Sequence, residues 1–253
     1  MQVEARSGRY QDVDVQALAV AVFKDEKTDA GFLKDLDAAT GGMMKSVIDS
    51  EEFKGKDGET IYLHLSADAK LKARRLLLIG AGDQKEHQAA QISITAGTAV
   101  RLLRSKNVKS IAFVPRGEVD AETSAAAAVE GAVMALFDLD KYRTVDKEVK
   151  AVDRFVVVSE AEQDVIARGV ARGQMVGESV NFTRDLANEP GASLTPTDMA
   201  ERARDQVVAQ EQAAADAPAV EGAAPQRRQE RPRHPRDERR EGQRSLTHDR
   251  RRA

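Results

Sequence analysis

The chain has 253 residues, of which 32% are charged, 41% are apolar and 4% are aromatic, and it contains neither Cys nor Trp. These values suit one large or two modest globular domains, and they exclude a disulfide framework, a Cys-ligated zinc and a thiol nucleophile. The apolar runs fall far short of the ~20 residues of a transmembrane helix, and the N-terminus lacks the apolar segment of a signal peptide. We therefore expect a cytoplasmic protein without a membrane partner.

The formal net charge of −3 is unevenly distributed along the chain. Residues 226–253 contain eleven Arg, no Lys and five acidic residues, a net charge of +6, so that the preceding 225 residues carry −9. Leu246 is the single strongly apolar residue of that segment, which therefore cannot bury enough surface to offset its ordering entropy. We predict a disordered Ala/Arg/Pro-rich tail over 211–253, and any affinity for nucleic acid would reside there.

The first 158 residues alternate between predicted strands and predicted helices. Continuous or alternating apolar runs predict strands, and apolar residues at helical spacing predict helices. The elements predicted in chain order are an apolar run at 15–23, a helix at 31–39, strands at 59–65 and 75–79, a helix at 88–104, a strand at 110–114, a helix at 121–136 and a strand at 152–158. This alternation predicts an α/β fold with a mainly parallel sheet flanked by helices. We assign residues 1–158 to one N-terminal α/β domain.

A long helix is predicted next, at about 160–181. Ser159-Glu-Ala-Glu162, directly before this helix, has the pattern of a capping box. Asp120 is in the same way a predicted N-cap of the helix at 121–136. Gly169, Gly173 and Gly177 fall on one stripe of the long helix, although each interior Gly costs ~1 kcal/mol relative to Ala. The stripe indicates close backbone approach to another element; a broken or frayed helix is the alternative.

Other candidate sites are weak. Gly80-Ala-Gly82 lacks the third glycine of a dinucleotide-binding motif and precedes the negative charge of Asp83, so that a strand-to-helix turn is the better interpretation. His64 and His87 have no second His at metal-binding spacing, which makes each of them a structural or solvated side chain. His234 and His248 lie in the predicted tail.

The segment from Asn181 to Pro196, NFTRDLANEPGASLTP, is the most specific part of the sequence. It predicts a helix end, a turn, and a new helix that Thr195 caps, with Pro196 at the first helical position and Asp198 near the positive end of the helix dipole. It resembles the N-x-x-R-D-L-x-N-x-P-x-x-x-x-T-P signature of the leucyl aminopeptidase (cytosol aminopeptidase) family. The matching positions, to which we assign structural roles, are Asn181, Arg184, Asp185, Leu186, Asn188, Pro190, Thr195 and Pro196.

The resemblance extends over roughly 1–210, since the phrases at 53–58, 72–80 and 108–113 are similar to phrases in the N-terminal domain of that family. It implies a macro-domain-like N-terminal domain at 1–158, an interdomain helix at 159–182 and the beginning of the catalytic domain at 183–210. Within the signature, we expect Asp185 and Glu189 to pin the turn together with Arg184 and Asn188.

The resemblance also implies a metallo-exopeptidase that removes N-terminal amino acids from peptides. In the family, two divalent ions (Mn or Zn) activate a water, and the enzyme is typically a homo-hexamer. The family's metal ligands and catalytic groups lie in phrases of the type VGKG…DSGG and NTDAEGR, which are absent from this sequence, and no Lys follows Lys150. We therefore assign no catalytic residue and no metal ligand, and we expect this chain alone to bind no metal pair, to form no hexamer and to be inactive.

The composition of the tail suggests its origin. Residues 1–225 contain 14 Arg and 14 Lys, whereas residues 226–253 contain eleven Arg and no Lys. Arg, Ala, Pro and Gly share GC-rich codons, so a frameshift near codon 210 would explain both this bias and a truncated second domain. A genuine basic tail that binds nucleic acid through its charge is the alternative, although it contains no aromatic residue for base stacking.

Two further hypotheses belong to other functional classes. The chain could be a non-catalytic regulatory module, in which the macro-like domain binds a ligand or the basic tail binds DNA. It could also be the product of a pseudogene, in which case residues 197–210 would form an amphipathic helix with an exposed apolar face, a source of instability or aggregation.

Overall fold

The computed structural model describes residues 1–138, 150–191 and 193–216. The chain divides into two compact units, Met1–Asp216 and Ala217–Ala253, and the described residues all belong to the first. The tail was predicted to be disordered over 211–253. Residues 211–216 belong instead to a helix that ends at Asp216, and the remainder of the tail lies outside the described residues.

The described part contains a six-stranded sheet with helices on both faces. The strands are β1 (Gln2–Ser7), β2 (Ala17–Val22), β3 (Thr60–His64), β4 (Arg75–Gly80), β5 (Ser110–Val114) and β6 (Arg154–Ser159). The helices are α1 (Gly31–Ala39), α2 (Met43–Asp49), α3 (Ala89–Ser105), α4 (Ala121–Ala135), α5 (Gln163–Ala187) and α6 (Pro196–Asp216). The prediction of an α/β fold is confirmed.

The strand order is β1-β6-β5-β2-β4-β3. Every neighbouring pair is parallel except β3 with β4, which is antiparallel at the edge. After β4, the chain returns past β2 to form β5 on its other side, so the direction of strand addition reverses between β2 and β5. Ligands of open α/β sheets bind outside the carboxyl ends of the strands at such a reversal.

Two hydrophobic clusters cover the two faces of the sheet, because the side chains of each strand alternate between faces. Ala17 and Ala19 of β2 face the cluster formed with α3, α4 and α5. Leu18, Val20 and Val22 of the same strand face the cluster formed with α1 and α2. β2 is buried along its whole length, as a central strand covered on both faces should be.

The glycine stripe of α5 packs against α4. A Cβ at Gly169 would lie 2.3 Å from the backbone carbonyl oxygen of Glu122, and one at Gly173 would lie 2.2 Å from that of Ala126. A Cβ at Gly177 would lie 2.9 Å from the Cβ of Val133. The prediction of close backbone approach is confirmed, and α5 is continuous across all three glycines.

Several helix boundaries differ from the prediction. Asp120 caps α4 as expected, because its side chain accepts a hydrogen bond from the backbone N–H of Thr123. The capping box predicted at Ser159 is wrong: Ser159 ends β6 and its hydroxyl oxygen accepts from the N–H of Ala161, while Glu162 occupies the N-cap without a side-chain cap. α5 ends at Ala187, and α6 extends to Asp216, past the boundary predicted at 210.

Candidate functional site

A crevice opens at the carboxyl ends of β1, β5 and β6, and we call it the carboxyl-edge crevice. It has a volume of about 920 Å³ and is lined by the loop after β1, by α1 and Lys70, and by the last residues of β5 and β6 with the residues that follow them. No strand of the described part contributes more than its end, so the crevice combines loops that are far apart in the sequence.

Tyr10 and Phe32 form the aromatic part of the crevice wall, with ring centroids 5.2 Å apart. The Tyr10 hydroxyl is buried and has no hydrogen-bond partner among the described residues. Burial raises the pKa of Tyr10 to about 12, and the nearby carboxylate of Asp35 adds to this shift. Tyr10 therefore remains a neutral hydroxyl at physiological pH.

A second polar cluster lies at the carboxyl ends of β2 and β5. The Arg116 guanidinium donates to a carboxylate oxygen of Glu26 at 2.8 Å and to the carbonyl oxygen of Ala21 at 2.9 Å. Its central carbon lies 4.4 Å from the ring centroid of Phe32 and 5.1 Å from that of Phe23. Arg116 thus packs against Phe32, one of the two aromatic residues of the crevice wall. Sequence reasoning missed this residue, because the chain gives no signal for it beyond a charge two residues after a buried strand.

His87 belongs to the same region and is a structural residue. Its side chain is only 2% exposed, packs edge-on against Phe23 at 5.1 Å, and leaves Nδ1 without a partner among the described residues. Burial lowers the pKa of His87. His64, in contrast, is exposed on β3, and His234 and His248 lie outside the described residues.

The glycine turn after β4 is also structural. A Cβ at Gly82 would lie 2.5 Å from a carboxylate oxygen of Asp57, so a carboxylate already occupies the space in front of the turn. This agrees with a turn and disfavours an anion site at Gly80–Gly82, because the carboxylate would repel a phosphate.

Side chains of the signature segment bind the C-terminal end of α4. The amide of Asn181 donates to the carbonyl oxygen of Val133 at 2.9 Å, and the Arg184 guanidinium donates to that of Met134 at 3.0 Å and to the amide oxygen of Asn181 at 3.3 Å. The last carbonyls of a helix lack intrahelical partners and carry partial negative charge, so an amide and a guanidinium suit them well.

The remaining signature residues organise the turn between α5 and α6. The Asn188 amide donates to the carbonyl oxygen of Arg184 at 2.7 Å. Thr195 and Asp198 form reciprocal hydrogen bonds at the start of α6, which agrees with the predicted cap, and the bonds from Thr195 lower the pKa of Asp198. Pro196 is the first residue of α6.

Three more signature residues, Asp185, Leu186 and Pro190, lie at or next to this turn. Asp185 and Pro190 are exposed, and Leu186 is half-buried. The carbonyl oxygen of Pro190 accepts from the N–H of Ser193 at 2.8 Å. Glu189, whose side chain is 2% exposed, accepts from Arg202 of α6 at 2.8 Å. This link between α5 and α6 was not predicted from the sequence.

The described residues do not fit a two-metal site. In the ranges 1–138, 150–191 and 193–216, no group of three or more His, Asp or Glu side chains is arranged to hold a metal ion. In the same ranges, no helix is long and apolar enough to cross a membrane.

Comparison with known proteins decides the family. The sequence model of the cytosol aminopeptidase family, N-terminal domain, matches residues 19–146, about half of the chain. The chain belongs to the cytosol aminopeptidase family.

Relatives within the family match a longer part of the chain. A probable cytosol aminopeptidase of Solibacter usitatus is 36% identical over 204 residues, which cover 81% of this chain and 39% of the relative. Another, of Acidobacterium capsulatum, is 37% identical over 171 residues, covering 66% of this chain and 33% of the relative. The chain thus spans about two fifths or less of the length of these relatives.

Solved structures share the fold. A K354E mutant of tomato leucine aminopeptidase matches with a TM-score of 0.69 at 21% identity, covering 81% of this chain and 41% of that one. The bottromycin maturation enzyme BotP in complex with Mn matches with a TM-score of 0.56 at 22% identity, over 76% of this chain and 36% of that one. The six-stranded domain of this chain is therefore an α/β domain of the kind found in leucine aminopeptidases.

Proposed function

We propose that the chain is the non-catalytic N-terminal part of a leucyl aminopeptidase-like metallo-exopeptidase. The match of the family's N-terminal domain to residues 19–146 carries this proposal. The activity of such an enzyme is the removal of N-terminal amino acids from peptides by a water that two divalent ions activate. The described residues do not fit that metal pair, so we derive no catalytic step from them.

The role that the contacts of α5 support is the positioning of a domain C-terminal to this helix in an aminopeptidase. The glycine stripe seats α5 directly on the backbone of α4. Asn181 and Arg184 then fix the last turns of α5 to the end of α4. A helix held by both backbone contact and side-chain hydrogen bonds is a rigid connection, and we propose that it sets the position of a catalytic domain.

Several properties of the intact enzyme class enter only as proposals for this chain. Peptides would be its substrates, Mn or Zn its metal ions, a homo-hexamer its assembly and the cytoplasm its location. We propose that the 253-residue chain by itself has neither the metal pair nor the activity, since the sequence contains neither of the two family phrases that supply the ligands.

Hydrolysis of leucine p-nitroanilide tests this proposal. The purified chain is incubated with the substrate and added Mn²⁺ or Zn²⁺, with a leucine aminopeptidase as the positive control. We expect no release of p-nitroaniline above the rate without protein. Turnover that depends on added metal and survives further purification would contradict the proposal.

Reading the other two frames of the coding DNA beyond codon 210 tests the frameshift hypothesis, which predicts that a GKG…DSGG phrase is recovered there.

A second candidate function is that of a DNA-binding regulatory module, which the charge of +6 on residues 226–253 favours. Binding of a basic segment to DNA releases counterions and falls steeply with salt concentration. If this function applies, the chain binds duplex DNA at low salt and a variant that lacks 211–253 does not. Equal binding by both proteins would remove the tail from consideration.

A further inference from the structure

We propose that the carboxyl-edge crevice binds a small zwitterion, an amino acid or a dipeptide with a free ammonium and a free carboxylate. This inference goes beyond the proposed function, because it concerns a ligand site on the α/β domain itself. Its failure would leave the role of the chain in an aminopeptidase unaffected.

The position and size of the crevice favour a ligand site. It lies outside the carboxyl ends of parallel strands, where open α/β sheets bind their ligands. Its volume of about 920 Å³ lies within the range of small-molecule pockets, roughly 300–1,000 Å³. A dipeptide would fill part of it and leave room for water.

The charges around the crevice carry the choice of ligand. Five charged residues line it, all of them exposed: Arg9, Asp12, Asp35, Lys70 and Glu160. Among the described residues, none of the five forms an ion pair. Unpaired groups of both signs around one cavity suit a ligand that carries both signs.

The net charge of this lining is −1, which argues against a phosphate-bearing ligand. Three carboxylates would repel the two or more negative charges of a nucleotide. A zwitterion avoids that repulsion, because its ammonium can approach the carboxylates of Asp35 and Glu160 while its carboxylate approaches Arg9.

Charges of both signs act on the Tyr10 hydroxyl. The electrostatic environment of its buried hydroxyl includes the carboxylates of Asp35 and Glu160 and the guanidinium groups of Arg9 and Arg116. The Tyr10 and Phe32 rings add an apolar wall beside these charges. An apolar side chain such as that of leucine fits against this wall, so we choose leucyl-leucine as the probe.

Calorimetric titration of the full 253-residue chain tests the chemistry of the ligand. Leucyl-leucine, its N-acetyl derivative, its C-terminal amide and ADP are compared in EDTA, so that no metal-dependent hydrolysis consumes the probe. We expect leucyl-leucine to bind one-to-one and each blocked derivative to bind about tenfold more weakly, since each lacks one charge-assisted interaction. Absence of binding at millimolar peptide, equal binding of a blocked derivative, or tighter binding of ADP would each overturn the proposal.

Substitutions then test the location of the site. Asp35→Asn should weaken binding of leucyl-leucine about tenfold, because it removes an ammonium partner while keeping the side-chain shape. Asp49→Asn is the matched control, since Asp49 is exposed on α2 and does not line the crevice. Thermal midpoints of both variants within the wild-type range show that the fold is intact. Unchanged affinity in Asp35→Asn, or equal weakening in both variants, would contradict the assignment.

Discussion

Arg184 and Asn181 of α5 bind the C-terminal end of another helix, α4. Both donate hydrogen bonds to carbonyl oxygens in the last turn of α4, which otherwise accept only long bonds, of 3.3 and 3.4 Å, from the backbone N–H groups of Leu136 and Phe137. The Arg184 guanidinium also lies 5.7 Å from the ring centroid of Phe137. The signature spacing of three residues thus has a physical explanation, because i and i+3 lie on the same face of a helix.

Arg184→Ala should lower the free energy of unfolding by about 1–2 kcal/mol, since it removes a charged donor from a half-buried carbonyl. Arg172→Ala, an exposed position on the same helix, is the control and should change stability by less than about 0.5 kcal/mol. Urea denaturation followed by circular dichroism measures both. Equal effects of the two substitutions would show that the contact with α4 contributes nothing specific.

His87 makes stability depend on pH. Burial lowers its pKa in the folded state, whereas in the unfolded chain a His binds a proton near pH 6.5. Below about pH 6.5 the unfolded state therefore binds more protons than the folded state, and stability is lost as the pH falls. We expect His87→Leu to show a shallower loss of unfolding free energy between pH 7 and pH 5 than wild type.

His64→Leu is the control, because it makes the same substitution at an exposed strand position. Its pH dependence should match that of the wild type. If His87→Leu retains the full wild-type slope, the acid sensitivity originates elsewhere in the chain.

At the scale of elements, the sequence pattern was sufficient where a segment is buried. β2, β4 and β5 were predicted because they are continuous apolar runs, and α3 because its apolar residues have helical spacing. β1 was missed because it is an edge strand in which polar residues alternate with only Val3 and Ala5. α2 was missed because it has seven residues and buries only Met44.

The glycine stripe of α5 gives the sharpest prediction for an element. Gly173→Ala would gain ~1 kcal/mol of helix propensity in isolation. In the protein the new methyl group would meet the backbone of Ala126, which cannot move without displacing α4. Overpacking of this kind costs about 1–3 kcal/mol, so we expect a net loss of about 1 kcal/mol in unfolding free energy.

Gly191→Ala is the matched control, because nothing lies within 4 Å of a Cβ at that position. It should leave the urea midpoint within experimental error of the wild type. A stabilised Gly173→Ala protein would mean that α5 does not approach α4 as closely as described.

The helix after the signature segment, α6, has an exposed apolar face. α6 exposes Met199, Val207 and Val208, each more than half accessible to solvent. An exposed apolar face of the helix over 197–210 was predicted from the sequence as part of the pseudogene hypothesis. Its consequence for aggregation stays a prediction.

At the scale of the whole molecule, the family was predictable from sequence but the carboxyl-edge crevice was not. The signature is contiguous, so a single segment carries it. The crevice joins the loop after β1, α1 and the residues after β5 and β6, which meet only when the sheet has formed. Nothing in the local sequence of Tyr10 or Asp35 indicates that they will be neighbours.

The absence of a metal pair from this chain is the claim on which its proposed function depends most. Elemental analysis after equilibrium dialysis of the 253-residue chain against Mn²⁺ or Zn²⁺ tests it most directly. We predict substoichiometric metal, removed completely by a wash with EDTA. Two tightly bound divalent ions per chain would contradict the claim, because the polypeptide would then provide the ligands for the catalytic pair itself.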